Sequence, residues 1–269
     1  MRSKDGRTTK DGIRIYQEAD FSGMHVAGKL AAQILDDITQ HVFPGQTTGE
    51  IDRLITNMVE EAGAKSATIG YKGYQHASCI SVNHVVCHGI PSDKKLKDGD
   101  ILNIDVTVIV DGWFGDTSRM FVAGKLSRKA ERLIQVTHDS LMKGIEVVKP
   151  GNTFGDIGHA IQSYAESQRM SVVRDFCGHG LGLVFHAPPN VLHYGRPGTG
   201  PKLEEGMFFT IEPMINLGRP ETKILADEWT AVTRDKSLSA QFEHSIGVTA
   251  DGFDIFTLSP GGKFHPTYG

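Results

Sequence analysis

Residues 101–121, ILNIDVTVIVDGWFGDTSRMF, read as two apolar, β-branched strands joined at Asp111-Gly112, a dipeptide suited to a two-residue hairpin turn. Centring the hairpin there makes opposed residue numbers sum to 223, so Asp105 faces Ser118 and Asp116 faces Thr107. Residues two apart share a strand face, which makes Asp105 and Asp116 diagonal neighbours pointing the same way. Aspartate is a poor strand former and is seldom buried without a partner. Two bare carboxylates at that separation repel until one takes a proton, and a cation between them removes the conflict. The hairpin alone leaves a second reading open, with Asp116 in solvent at a strand end and Asp105 capping a turn.

The same segment has a counterpart later in the chain. LKDGDILNID at 96–105 aligns with LEEGMFFTIE at 203–212, an offset of 107, and PGQTTGEIDRLI at 44–55 aligns with PGNTFGDIGHAI at 150–161, an offset of 106. Two matches in one order at nearly one offset indicate two related halves, about 20–130 and 131–255, rather than a short-period solenoid. Asp105 and Glu212 then occupy equivalent positions.

Each half reads as helices followed by strands. Helical spacing covers 22–43 and ends at Pro44-Gly45. A capping box of Thr47 and Glu50 opens a helix over 49–64, Thr153 and Asp156 offer a looser copy, and 131–148 is the matching long helix. The β-rich runs fall at 79–90 and 101–122, then at 183–194, 207–216, 228–234 and 241–258. This order predicts an α+β fold in which helices cover a curved, mainly antiparallel sheet. The expected boundaries are an amino-terminal extension at 1–19, with disorder as one option, a single domain at 20–260, and a tail at 261–269.

With 269 residues, 39% of them hydrophobic and 22% charged, the chain suits a soluble globular protein with a large core. A formal net charge of -4 lacks the basic excess that a sequence-independent grip on nucleic acid needs. Cys79, Cys87 and Cys177 form neither a paired framework nor a metal knuckle, which fits a reducing compartment. The polar start and the lack of any run near ~18 apolar residues lead to a cytoplasmic expectation.

Three further residues join the two aspartates. Glu212 sits in FTIEPM and Glu243 in AQFEHSI, both in runs of β character, and His179 is flanked by glycines in CGHGLG. Taken singly, a strand glutamate is usually on a solvated face, and a loop histidine is more often neither ligand nor catalyst. Together, one imidazole and four carboxylates form a mainly oxygen ligand set suited to manganese, iron, cobalt or zinc. Five ligands are many for one open catalytic ion and suit two ions about 3.5–4 Å apart.

The ordered set CHGIP, NIDVTV, DGWFGDTSRMF, GHGLG, TIEPM and SAQFEHSI closely resembles methionine aminopeptidases of the bacterial, first type, over about residues 20–258. The resemblance implies the pita-bread fold, two pseudo-symmetric halves around two divalent metal ions. It implies that Asp105 chelates one ion, that Asp116 and Glu243 bridge both, and that His179 and Glu212 complete the other shell. The implied activity removes the amino-terminal methionine from nascent proteins and peptides, prefers a small second residue, and uses a metal-bridging hydroxide. Glu212 would take and relay the proton, His88 would position the scissile amide, and His186 would bind the peptide and stabilise the developing oxyanion.

The methionine pocket implied by the resemblance is lined by Tyr71, Tyr74, Cys79, Phe185 and Trp229, with Thr68 at its rim. Plain core packing is the alternative for each aromatic, and a structural role for each histidine. Thr68 stands where several bacterial relatives have cysteine, and Ala187-Pro188 replaces a glutamate pair after His186. The implied partners are amino termini of nascent polypeptides near the ribosome, with no membrane contact, and the implied state is a monomer. Prolidase and aminopeptidase P share this fold and metal set, so cleavage before proline is a rival activity. A metal-free member that binds ribosomes or proteins is a second, although such members lose ligands and all five are present here.

Overall fold

The structure, a computed structural model, describes residues 7–266. The first half contributes helices α1 (Glu18–Ile38) and α2 (Thr48–Glu61) and strands β1 (Lys65–Ser66), β2 (Ser78–Val82), β3 (Val85–Cys87), β4 (Asp100–Val110) and β5 (Trp113–Ala123). The second contributes α3 (Arg128–Glu146), α4 (Phe154–Ser167), β6 (Ser171–Val172), β7 (Gly178–Gly180), β8 (Ala187–Val191), β9 (Phe208–Ile211) and β10 (Met214–Asn216). It ends with β11 (Thr222–Ile224), β12 (Ala231–Thr233), β13 (Ser239–Gln241), β14 (His244–Val248) and β15 (Phe253–Ile255).

The two helix starts foreseen from the duplicated motif are built alike. Glu50 accepts the Thr47 backbone N–H at 2.9 Å and returns its own N–H to the Thr47 hydroxyl at 3.1 Å. Asp156, one methylene shorter, accepts the Thr153 backbone N–H at 2.7 Å. Each carboxylate satisfies an amide that the first helical turn leaves without a partner. Further on, the Gly45 and Gly151 amides donate to Leu96 and Leu203 at 2.8 and 3.0 Å, so the loops after the helices also repeat.

Strand pairing repeats as well. In the first half β1, β2 and β5 all pair with β4. In the second, β6 and β13 pair with β10 while β7 and β14 pair with β9. The strand equivalent to β4 is thus split at Glu212-Pro213, where proline has no N–H to give the ladder. The expected curved sheet is accordingly divided into four hydrogen-bonded sheets, all antiparallel among the described residues.

Register in the β4–β5 hairpin is as the turn predicts: Asp105 pairs with Ser118 and Thr107 with Asp116, with Asp111 and Gly112 both at positive φ. Along β4, Leu102, Ile104, Val106 and Val108 enter the core under α1 and α2. The alternate face carries Asn103, Asp105 and Thr107, so the period of two sends these three polar side chains away from the helices. Helix α1 can lie this close because position 115 is glycine: a Cβ there would stand 2.2 Å from the Ala27 carbonyl oxygen. A second core, around Leu133, Ile134, Leu141, Ile157, Phe209 and Ile215, serves the other half.

The halves meet where β5 runs beside the start of β14. The Glu243 N–H donates to the Ser118 carbonyl at 3.0 Å, the Thr117 hydroxyl to the Glu243 carbonyl at 2.7 Å, and the Ser245 hydroxyl to the Asp116 carbonyl at 2.6 Å.

The ordered chain begins earlier than the boundary expected at residue 20. Thr8 and Arg14 form a bridge, and Ile13 is buried in the second-half core. Tyr16 stacks on Phe208 at 4.4 Å with the rings nearly parallel. Two apolar anchors therefore fix a stretch whose polar composition suggests an extension, and residues 1–6 of that extension lie outside the described residues. The tail is also engaged at its start: the Ser259 hydroxyl and the Gly261 N–H both donate to the Asp36 carboxylate of α1 at 2.8 Å, and the Arg119 guanidinium pairs with the same carboxylate. No helix of the described residues is long and apolar enough to cross a membrane.

Candidate metal centre

Between the two halves lies a cleft of about 820 Å³. Its floor combines Asp105 from β4, His179 from β7, Glu212 from the β9–β10 break and Glu243 from the seam, with Asp116 of β5 buried behind. Asp116, His179 and Glu243 each offer a ligand atom, and the three atoms lie within 4.8 Å of one another. His179 Nε2 is 3.5 Å from Asp116 Oδ2 and 3.8 Å from Glu212 Oε1.

Local sequence explains why these groups converge. His179 occupies a three-residue strand between β8 and β9, and only glycine fits on either side of it. A Cβ at Gly178 would stand 2.3 Å from the Thr210 carbonyl oxygen, and one at Gly180 would stand 2.1 Å from that of Pro188. The imidazole Nδ1 lies 3.2 Å from the Gly180 carbonyl, which can only accept, so Nδ1 carries the proton and Nε2 faces the carboxylates.

The electrostatics favour a cation. Burial first, then the Asp116 and Glu212 charges, hold the Asp105 carboxyl well above the usual carboxylate range. Glu243 is raised in the same way, by burial and then by Asp116, Glu212 and Asp105. Glu212 is pushed up to about 7, mainly by burial, with His179 opposing the rise and Asp116 adding to it. Burial lowers His179, but the Asp116 and Glu212 carboxylates outweigh it and its pKa is raised. Acids this close and this buried hold their protons unless positive charge enters the group. A mainly oxygen donor set with one free imidazole nitrogen fits a divalent transition metal.

Groups not singled out in the sequence support the acids. The Thr107 hydroxyl donates to Asp116 Oδ1 at 2.7 Å, across the predicted register, and the Thr210 hydroxyl donates to Glu212 Oε1 at 2.8 Å. Gln241 Nε2 reaches Glu212 Oε2 at 3.3 Å. His193, wholly buried, accepts the Glu212 backbone N–H at Nε2. Thr107 could have been found, because the hairpin register sets it opposite Asp116. Nothing in the spacing of the other three marks them.

The structure brings every other residue of the expected site to the same cleft. His88 is at positive φ, with its ring edge-on to Phe176 at 5.5 Å and to Trp229 at 6.2 Å, and burial lowers its pKa. His186 lies against the His179 ring at 4.1 Å, and burial followed by His179 lowers it to about 4. Both imidazoles are therefore neutral near pH 7. Tyr71 packs on Phe185 and His186, and Tyr74 packs on Trp229 at 5.0 Å. Cys79 pairs with Asp105 in the β2–β4 ladder, and burial pushes its thiol up. Thr68 lines the cleft with its hydroxyl already committed to the His76 carbonyl at 2.7 Å, which leaves its methyl as the apolar contribution. Ala187 and Pro188 form part of the wall, with Gly12 of the amino-terminal segment close against Pro188.

The chain is similar to known proteins over most of its length. The model for metallopeptidase family M24 matches residues 22–250. The methionine aminopeptidase of Rickettsia prowazekii is 60% identical over 257 residues, covering 95% of this chain and 99% of that protein. That of Escherichia coli K12 is 52% identical over 248 residues, covering 91% and 94%. The crystal structure of the Rickettsia prowazekii enzyme superposes with a TM-score of 0.91 at 61% identity, covering 91% of this chain and all of the other.

Proposed function

The chain belongs to metallopeptidase family M24, and from that premise we propose that it is a methionyl aminopeptidase working with two divalent ions in the cleft described above. It removes methionine from the amino termini of proteins and peptides and prefers a small second residue. The observation that carries this reading is the convergence of four acids and one imidazole in one cleft, where the raised carboxyl pKa values of Asp105, Glu212 and Glu243 call for positive charge. Asp105 would hold one ion, Asp116 and Glu243 would be shared, and His179 with Glu212 would complete the second. Divalent cations there supply Lewis acidity and lower the pKa of water.

The chain's own groups do the rest. Glu212 takes a proton at its carboxylate during attack and returns it to the leaving amine. His88, neutral and walled by Phe176 and Trp229, positions the scissile amide. His186, also neutral, donates a hydrogen bond to the carbonyl oxygen as negative charge develops. Tyr71, Tyr74, Cys79, Phe185 and Trp229, with Thr68 at the rim, enclose the methionine side chain, where the sulfur gains soft contacts with the rings. The free α-amine docks beside Asp105, which restricts cleavage to the first residue.

The test is an assay with manganese, cobalt, iron or zinc added to metal-stripped protein. Turnover of Met-Ala-Ser, with amino-acetylated Met-Ala-Ser resisting, supports the reading. Turnover of Ala-Pro-Ala alone points to a proline-directed peptidase, and turnover of neither points to a binding module. Metal titration to a plateau of one ion per chain would remove the two-ion part.

A further inference from the structure

Lys72 is the one lysine or arginine among the described residues that line the cleft; the other charged lining groups are Asp11, Asp105, Asp175, Glu212 and Glu243. It lies exposed on the turn Tyr71–Gly73, at φ 49, a left-handed conformation that a lysine rarely adopts. The turn is fastened on both sides: the Tyr71 N–H donates to Thr68 and the Tyr74 N–H to Tyr71, each at 2.9 Å. The backbone thus presents this side chain at the mouth of the cleft.

The ammonium stands 5.3 Å from the centre of the Tyr71 ring, and among the described residues it pairs with no carboxylate. Tyr71 in turn stacks on His186 at 5.2 Å. Two ring-sized steps out from His186 span at most roughly 10 Å, which extended peptide covers in about three residues.

We propose that Lys72 is a specificity-determining residue that favours peptides carrying an acidic side chain at the third or fourth position. The inference rests on the aminopeptidase reading. The methionine side chain and the scissile bond occupy the inner cleft, and the rest of the peptide leaves past His186 and Tyr71 toward the ammonium. An exposed ion pair of this kind is worth about a threefold preference and weakens with salt.

The experiment compares carboxyl-amidated Met-Ala-Asp-Ser and Met-Ala-Ser-Asp with their asparagine counterparts, using metal-loaded enzyme at low ionic strength. In the wild type the aspartate peptide of at least one pair should show about threefold higher kcat/KM, expressed in KM. The ratio should fall to one in Lys72→Met, persist in Lys72→Arg, drop below one in Lys72→Glu, and shrink in 0.5 M salt. Thermal unfolding checks that each variant is folded. A wild-type ratio of one for both pairs, or a ratio that Lys72→Met leaves unchanged, overturns the proposal. Absence of turnover of the asparagine peptides by the wild type instead overturns the aminopeptidase reading itself.

Discussion

The backbone N–H of Glu212 donates to Nε2 of His193 at 3.1 Å, and the imidazole doing the accepting has no solvent exposure. The bond falls where the second-half strand breaks at Pro213, so a side chain supplies the acceptor that a neighbouring strand would otherwise provide. Replacing His193 with phenylalanine leaves that amide buried and unpaired, at a cost of about 1–3 kcal/mol. Denaturant unfolding should show this loss. Steady-state kinetics should show kcat falling more than KM rises, because the displaced group is an acid and not a pocket wall. Unchanged stability in His193→Phe would mean that the bond does not hold Glu212.

Removing metal should make stability depend on pH in a direction opposite to that of ordinary ion-paired carboxylates. Because burial raises Asp105, Glu212 and Glu243, the folded metal-free chain binds protons more tightly than the unfolded one. The stability this contributes is fully present below the ordinary carboxylate pKa near 4.5 and is lost as pH rises through the folded value, about 7 for Glu212. At pH 8 the Glu212 contribution alone amounts to about 3 kcal/mol of destabilisation as an upper figure. Calorimetry of chelator-treated protein should therefore show Glu212→Gln raising Tm at pH 8 and having little effect at pH 4.5. Equal effects at both pH values would count against the buried charge.

Metal binding should release protons. The same carboxyl groups give up protons as the cation enters, so affinity should rise with pH up to at least about 7, the value for Glu212. Titration calorimetry with manganese in buffers of different ionisation enthalpy measures the count directly. A heat independent of buffer at pH 6 would show that the acids are already ionised without the metal.

Asp105→Ala and His179→Ala should each reduce turnover by about 10³-fold or more, since several kcal/mol of transition-state stabilisation depend on the centre. Both should fold, because neither residue belongs to the two apolar cores. Metal content by elemental analysis and circular dichroism separate loss of ligand from loss of fold. Near-normal turnover of Asp105→Ala would contradict the assigned role.

The parts of this fold that were legible in the sequence are those set by short-range rules. The Asp111-Gly112 turn fixed the β4–β5 register to the residue, and with it the shared face of Asp105 and Asp116. The repeated P-G-x-T motif announced both capping boxes and the two-half plan, because caps depend on only four consecutive residues. What escaped was set by contacts across the chain. Thr210 and Gln241 are polar residues in short strands, and only the folded chain shows that they touch Glu212. His193 stands 19 positions from the amide it serves, with no periodicity linking them. The amino-terminal segment reads as polar, and its order comes from Ile13 and Tyr16 fitting into cavities made by residues much farther along.

Asp36 lies in the first helix, and two of its hydrogen-bond donors, Ser259 and Gly261, come from the far end of the fold, 223 and 225 positions later. During synthesis that carboxylate meets neither donor until nearly every residue between has left the ribosome. Helix α1 can form early from its own turns, but its buried face stays incompletely satisfied until residues 253–261 arrive to cover it. A copy halted before residue 259 therefore keeps the Arg119 pair but lacks two of the hydrogen bonds that the Asp36 carboxylate accepts once the chain is folded.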